Sequence, residues 1–91
     1  AAAVEPVSPG IGAVVARPVR LTWHAVAGVR EYRVEVLATD GRPLWSAATR
    51  DTSAAVPQSV VAGSGTYGWW VTGRLADGAA ISSAVTAFSV R

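Results

Sequence analysis

Apolar and polar residues alternate with period two along most of this chain. Glycine, proline, aspartate and serine interrupt the alternation at intervals of about ten residues, the pattern of many short strands joined by turns. Helical periodicity is hard to find. The first segment, Val4 to Val15, is broken by Pro6, Pro9, Gly10 and Gly12; it suits an irregular edge strand, because proline has no N–H to give a ladder. Val19 to His24 then sets Val19, Leu21 and Trp23 against Arg20, Thr22 and His24. After a turn through Ala27 and Gly28, Tyr32, Val34, Val36 and Ala38 oppose Arg33, Glu35 and Leu37. Asp40-Gly41 tolerates the positive φ angles of a type I′ turn and predicts a hairpin into Leu44 to Thr49. Thr52 to Val56 reads as a short strand ended by Pro57. Thr66 to Arg74 places Tyr67, Trp69 and Val71 opposite Trp70 and Thr72. A second turn at Asp77-Gly78 leads to a last strand, Ser83 to Val90, whose Phe88 and Val90 close the core. The expectation is an all-β, seven-stranded β-sandwich in one domain spanning 1–91, with residues 1–5 frayed.

Composition sharpens that picture in three places. The 91 residues suffice for one core and not for two. The apolar excess is mostly alanine and valine, so four Trp, two Tyr and one Phe must carry much of the packing. Cysteine is absent, which rules out disulfides and thiolate metal sites. All eight basic residues are arginine, and they are scattered at 17, 20, 30, 33, 42, 50, 74 and 91 with a net charge of only +2. No basic stripe forms, so nucleic acid is not an expected partner. The longest uncharged run, Thr52 to Gly73, contains proline, glutamine and several glycines, serines and threonines, which disqualifies it as a spanning helix. The lack of an initiator methionine suggests an excised or processed piece of a longer chain.

A family resemblance rests on the residues just placed. Leu21-Thr-Trp23, Tyr32-Arg-Val34-Glu-Val36, Val61 six residues before Tyr67, and Tyr67-Gly-Trp69-Trp-Val71 together resemble the core signature of fibronectin type III domains, an immunoglobulin-like sandwich. That resemblance implies that Trp23 and Tyr32 pack between the sheets. It also implies that Tyr67 forms a corner by bonding its hydroxyl to nearby backbone; Val61 stands where leucine is more usual. More narrowly, Val7-Ser-Pro9-Gly, Leu21-Thr-Trp23-His-Ala-Val26-Ala-Gly28 and Gly65-Thr-Tyr67-Gly-Trp69-Trp-Val71 resemble bacterial extracytoplasmic versions of the domain. Such versions follow the membrane helix of zinc-finger anti-sigma factors, and they also occur in secreted multidomain proteins. The expected location is therefore outside the cytoplasm, within a longer membrane-anchored or secreted chain.

Candidate chemistry is sparse. His24 is the one histidine, on the outward parity of its strand, whereas a zinc site takes three or four ligands. Glu31 and Glu35 imitate a carboxylate pair, but on a strand they flank Arg33 as a solvated charge ladder without a cleft. Gly63-Ser-Gly65 precedes no helix that could receive a phosphate. Neither a catalytic group, nor a cofactor, nor a metal is expected.

Trp70 is the exception. Alternation forces it outward, near Arg33, Glu35 and Leu37. Either Arg33 stacks over the indole and Leu37 covers its edge, or these residues form a docking surface, since aromatics and arginine anchor interfaces. Trp45 joins that patch or tucks inward; parity after Pro43 leaves both open. The expected function is that of a noncatalytic protein-interaction or spacer domain of an anti-sigma-like membrane-anchored regulator, with no membrane insertion of this segment itself. The alternative is an accessory carbohydrate-binding or adhesive module in which Trp70 and Trp45 stack on sugar rings.

Overall fold

The computed structural model describes residues 3–91, and over them the alternation resolves into nine strands. β1 (Pro6–Ser8), β3 (Arg20–Trp23) and β6 (Ser53–Ala55) make a three-stranded antiparallel sheet in the order β1-β3-β6. β2 (Val14–Val15), β9 (Thr86–Val90), β7 (Gly65–Leu75), β4 (Val29–Leu37) and β5 (Pro43–Thr49) follow one another across the larger sheet. β8 (Ala80–Ser82) pairs with the far end of β7. Among the described residues no helix is long and apolar enough to cross a membrane.

Alternation explains the layering. Leu21 and Trp23 of β3 face Tyr32, Val34 and Val36 of β4, Trp69 and Val71 of β7, and Phe88 and Val90 of β9, all buried. The rings meet edge to face or tilted, which sets the positive edge of one π system against the negative face of another. Trp23 and Tyr32 lie with centroids 5.6 Å apart at 61°, and Trp23 and Trp69 at 6.3 Å. Each polar tip but one finds a partner: Tyr32 Oη accepts the Val26 N–H at 2.9 Å, and Trp69 Nε1 donates to the Pro9 carbonyl at 3.1 Å. Trp23 Nε1 is buried without one.

The corner expected at Tyr67 is formed, its hydroxyl donating to the Gly63 carbonyl at 2.7 Å while its ring packs on Phe88 at 5.9 Å. Val61 is buried beneath it, and Arg17 Nη1 ties the loop down by donating to the Val61 carbonyl at 2.8 Å.

Four local expectations change. The irregular first strand is two strands in two sheets: β1 pairs antiparallel with β3, and β2 pairs parallel with β9. The prolines and glycines between them serve the crossing, with Pro9 buried where its carbonyl meets Trp69. The last strand starts later than expected, β9 running from Thr86 instead of Ser83, and β8 is an additional strand in what was read as the approach to it. At Ser83 the side-chain Oγ accepts the Val71 N–H at 3.0 Å in place of a main-chain carbonyl, and regular pairing resumes only at Thr86. Both Asp-Gly hairpins exist, but neither is type I′, since no residue other than glycine has positive φ. In each, a carbonyl accepts the glycine N–H (Ala38 to Gly41, 2.9 Å; Leu75 to Gly78, 3.0 Å), and the aspartate carboxylate accepts the amide two residues on. Lastly, the fraying expected for residues 1–5 stops short of Val4, which is buried, and of Glu5, whose carbonyl accepts the His24 N–H at 3.0 Å; Ala1 and Ala2 lie outside the described residues.

Gly73 sits on the inner face of β7 opposite Tyr32, and a Cβ there would stand 3.0 and 3.1 Å from the two methyls of Val29. Gly73→Ala is therefore expected to cost about 1 kcal/mol by overpacking. Val29→Ala in the same chain should recover part of it, a favourable coupling readable in a double-mutant cycle by urea denaturation. Tyr67→Phe, losing the corner hydrogen bond, should cost about 1 kcal/mol in the same assay.

Candidate functional site

The larger sheet has an outer face, and the residues singled out from the sequence divide between its two sides. Arg33, Glu35 and Leu37 of β4 stand across from Thr72, Trp70 and Gly68 of β7. These side chains share the outer face, because their neighbours Val34, Val36, Trp69 and Val71 are all buried inside. Trp45 does not join them. An extra residue, Leu44, is inserted where Leu37 pairs with Pro43 and Val36 with Trp45, and this bulge turns Trp45 to the inner face, packed against the core. The two indoles proposed as a sugar platform therefore lie on opposite sides of one sheet.

Trp70 is half-buried, with Glu35 directly across and Arg33 and Leu37 on the diagonals. The stacking of Arg33 over its ring is not what holds it. Arg33 Nη2 donates to Ser46 Oγ of β5 at 3.2 Å, and β5 flanks β4 on the side away from β7. Trp70 Nε1 is sealed from solvent without a hydrogen-bond partner. Burying an N–H without an acceptor costs about 1–3 kcal/mol, so the ring is held by packing, against a polar penalty.

Next to Trp70 along β7, Gly68 opens a hollow of about 290 Å³ between Leu37 and Val85. Ala38, Thr39 and Gly41 of the turn after β4, with Thr66, Tyr67 and Ala87, complete its lining. A Cβ on Gly68 would come within 3.0 Å of Val85 Cγ1, so the missing side chain is what leaves the floor low. Val85, more than half exposed, also borders a second hollow of about 400 Å³ that includes Pro6, Gly10 and Ile11. Ile11 is 87% exposed there, an unusual setting for so apolar a side chain.

Sequence reasoning missed Gly68, Val85 and Ile11. Glycine inside a strand does signal close approach of a neighbour or a ligand, and that signal at Gly68 was available. Val85 was hidden because it lies in the break after Ser83, where strand parity fails.

His24 is exposed and solitary. Among the described residues, no three of His, Cys, Asp and Glu gather closely enough to hold a metal ion. Glu31 and Arg33 are exposed on β4, across from Arg74 and Thr72.

No protein-family model matches the chain, and no curated protein is similar enough in sequence to count as a relative. Solved structures are more informative. The fibronectin(III)-like modules of Clostridium thermocellum CbhA superpose with a TM-score of 0.67 over 96% of this chain and 93% of theirs, at 22% identity. The fold is fibronectin type III-like. CopC from Methylosinus trichosporium OB3b is similar to the same degree, with a TM-score of 0.68 at 19% identity over 96% of this chain and 92% of its own. At such identities the likeness extends to the fold alone, and neither structure carries the finer resemblance to anti-sigma regulators.

The two adjacent tryptophans should respond differently to the same change. Trp70→Phe removes an unpartnered N–H and should leave stability within about 1 kcal/mol of the parent. Trp69→Phe opens a cavity and strands the Pro9 carbonyl, and should cost about 3 kcal/mol. Urea denaturation of the two variants checks both.

Proposed function

We propose that this chain is a noncatalytic interaction or spacer module of a larger extracytoplasmic bacterial protein, and that its contacts run through the outer face of β4 and β7. The observation that carries this reading is the apolar hollow over Gly68, lined by Leu37 and Val85, with the half-buried Trp70 two residues farther along the same face of β7. Such a surface suits an apolar side chain of a protein partner, with the polar Glu35 and Arg33 farther along the same face of β4, a mixture common to protein interfaces. Both hollows are mainly apolar and neither gathers a nucleophile with a base, which favours binding over chemistry.

Within this reading, the phrases around Trp23 and Trp69 favour a membrane-anchored regulator of the anti-sigma type as the parent. A secreted multidomain protein is the second reading. The similarity to the CbhA modules favours it, and its sugar-binding form would now rest on Trp70 alone, since Trp45 faces inward.

The reading frame of the parent separates the two. A regulator requires a Cys/His cluster followed by a helix of about twenty apolar residues ahead of this domain; a signal peptide with a hydrolase domain would replace that reading with the second. Titration with soluble β-glucan oligosaccharides, followed by tryptophan emission, is expected to give no saturable change. A saturable change that disappears in a folded Trp70→Ala variant would overturn the protein-partner assignment.

A further inference from the structure

Sheet edges are where extended chains add, because each edge strand keeps a row of N–H and C=O groups without a ladder partner. Most edges of this sandwich are blunted. β1, β2, β6 and β8 are none of them longer than three residues. β1 also begins with proline and carries a register shift, and Pro57 follows β6 closely.

β5 is different. It is the last strand of the larger sheet, with no strand beyond it among the described residues. Its proline and its bulge are spent at one end, on Pro43 and Leu44. From Trp45 to Thr49 it pairs with β4 in unbroken register, and that stretch holds no charge, no proline and no glycine. Ser46 and Ala48 are exposed on the outer side, while Trp45, Ala47 and Thr49 are covered only in part on the inner side. From Trp45 to Thr49 the edge carries no proline, bulge or charge to discourage pairing.

Charge at the end of β5 selects the occupant. Arg50 follows the strand directly, and with Arg30 it lines a hollow of about 220 Å³. The chain neighbours Glu31 and Asp51 do not line it, so a carboxylate from outside has two guanidinium groups to meet. A second copy of this chain fits poorly. The antiparallel register that sets Ala47 against itself would bring Leu44, not a carboxylate, beside Arg50.

We propose that the free edge of β5 is a strand-addition site for an extended segment of a partner protein that places an acidic residue at Arg30 and Arg50. Backbone hydrogen bonds would supply the pairing, alternate apolar side chains of the segment would cover Trp45 and Ala47, and the carboxylate would fix the register. This site is separate from the outer face over Gly68.

The probe is a synthetic peptide of alternating valine and threonine, long enough to span β5, with aspartate at both ends; the control carries arginine instead. Two exposed ion pairs make the expected preference for the aspartate peptide roughly tenfold. Arg30→Glu with Arg50→Glu should reverse that preference, and Trp70→Ala should leave it unchanged. Amide hydrogen exchange should slow along β5 when the peptide binds. Equal binding of both peptides, no binding, or protection at another edge would overturn the proposal. So would a concentration-dependent dimer in sedimentation whose β5 amides are protected without peptide, since the occupant would then be a second copy.

Discussion

The indole of Trp69 holds the two sheets in register. It is fully buried, tilted against Trp23 of the opposing sheet, and its N–H reaches the Pro9 carbonyl where the chain crosses from one sheet to the other. That one side chain joins β7, β3 and the crossing segment. A buried indole needs an acceptor, and a buried proline carbonyl needs a donor, so each removes the other's desolvation penalty. Trp69 inward also implies Trp70 outward. The outer face therefore acquires its aromatic residue as a consequence of how the core is built.

Much of this was legible beforehand because period-two alternation and burial on one face are the same physical fact. Trp23, Tyr32, Val34, Val36, Trp69 and Val71 all lie where their parity placed them. Illegible features came from interactions that parity does not encode. The split of the first strand depends on an acceptor required by a tryptophan sixty positions away. The late start of the last strand, at Thr86, goes with Ser83 Oγ substituting for a carbonyl. The inward turn of Trp45 depends on a bulge that follows Pro43, and the position of Arg33 depends on a hydroxyl two strands from the indole it was expected to cover. Each is a side-chain event that breaks a periodic rule.

The molecule thus presents two surfaces of different character. The face over Gly68 offers shape and apolar contact, with specificity left to the rim. The edge of β5 offers backbone groups, whose recognition depends little on the partner's side chains except at the charged end. β4 lies between them, paired with β7 from Val29 to Leu37 and with β5 from Tyr32 to Leu37.

The parallel pairing of β2 with β9 has a mechanical consequence. Gly12 N–H meets the Ala87 carbonyl at 2.9 Å, Ser89 N–H meets Ala13 at 2.8 Å, and Arg91 N–H meets Val15 at 3.0 Å. Force that slid β2 along β9 would load the three bonds together instead of peeling them one by one. On the N-terminal side β1, paired with β3, stands ahead of this clasp, so a pull from that end meets the two pairings in turn.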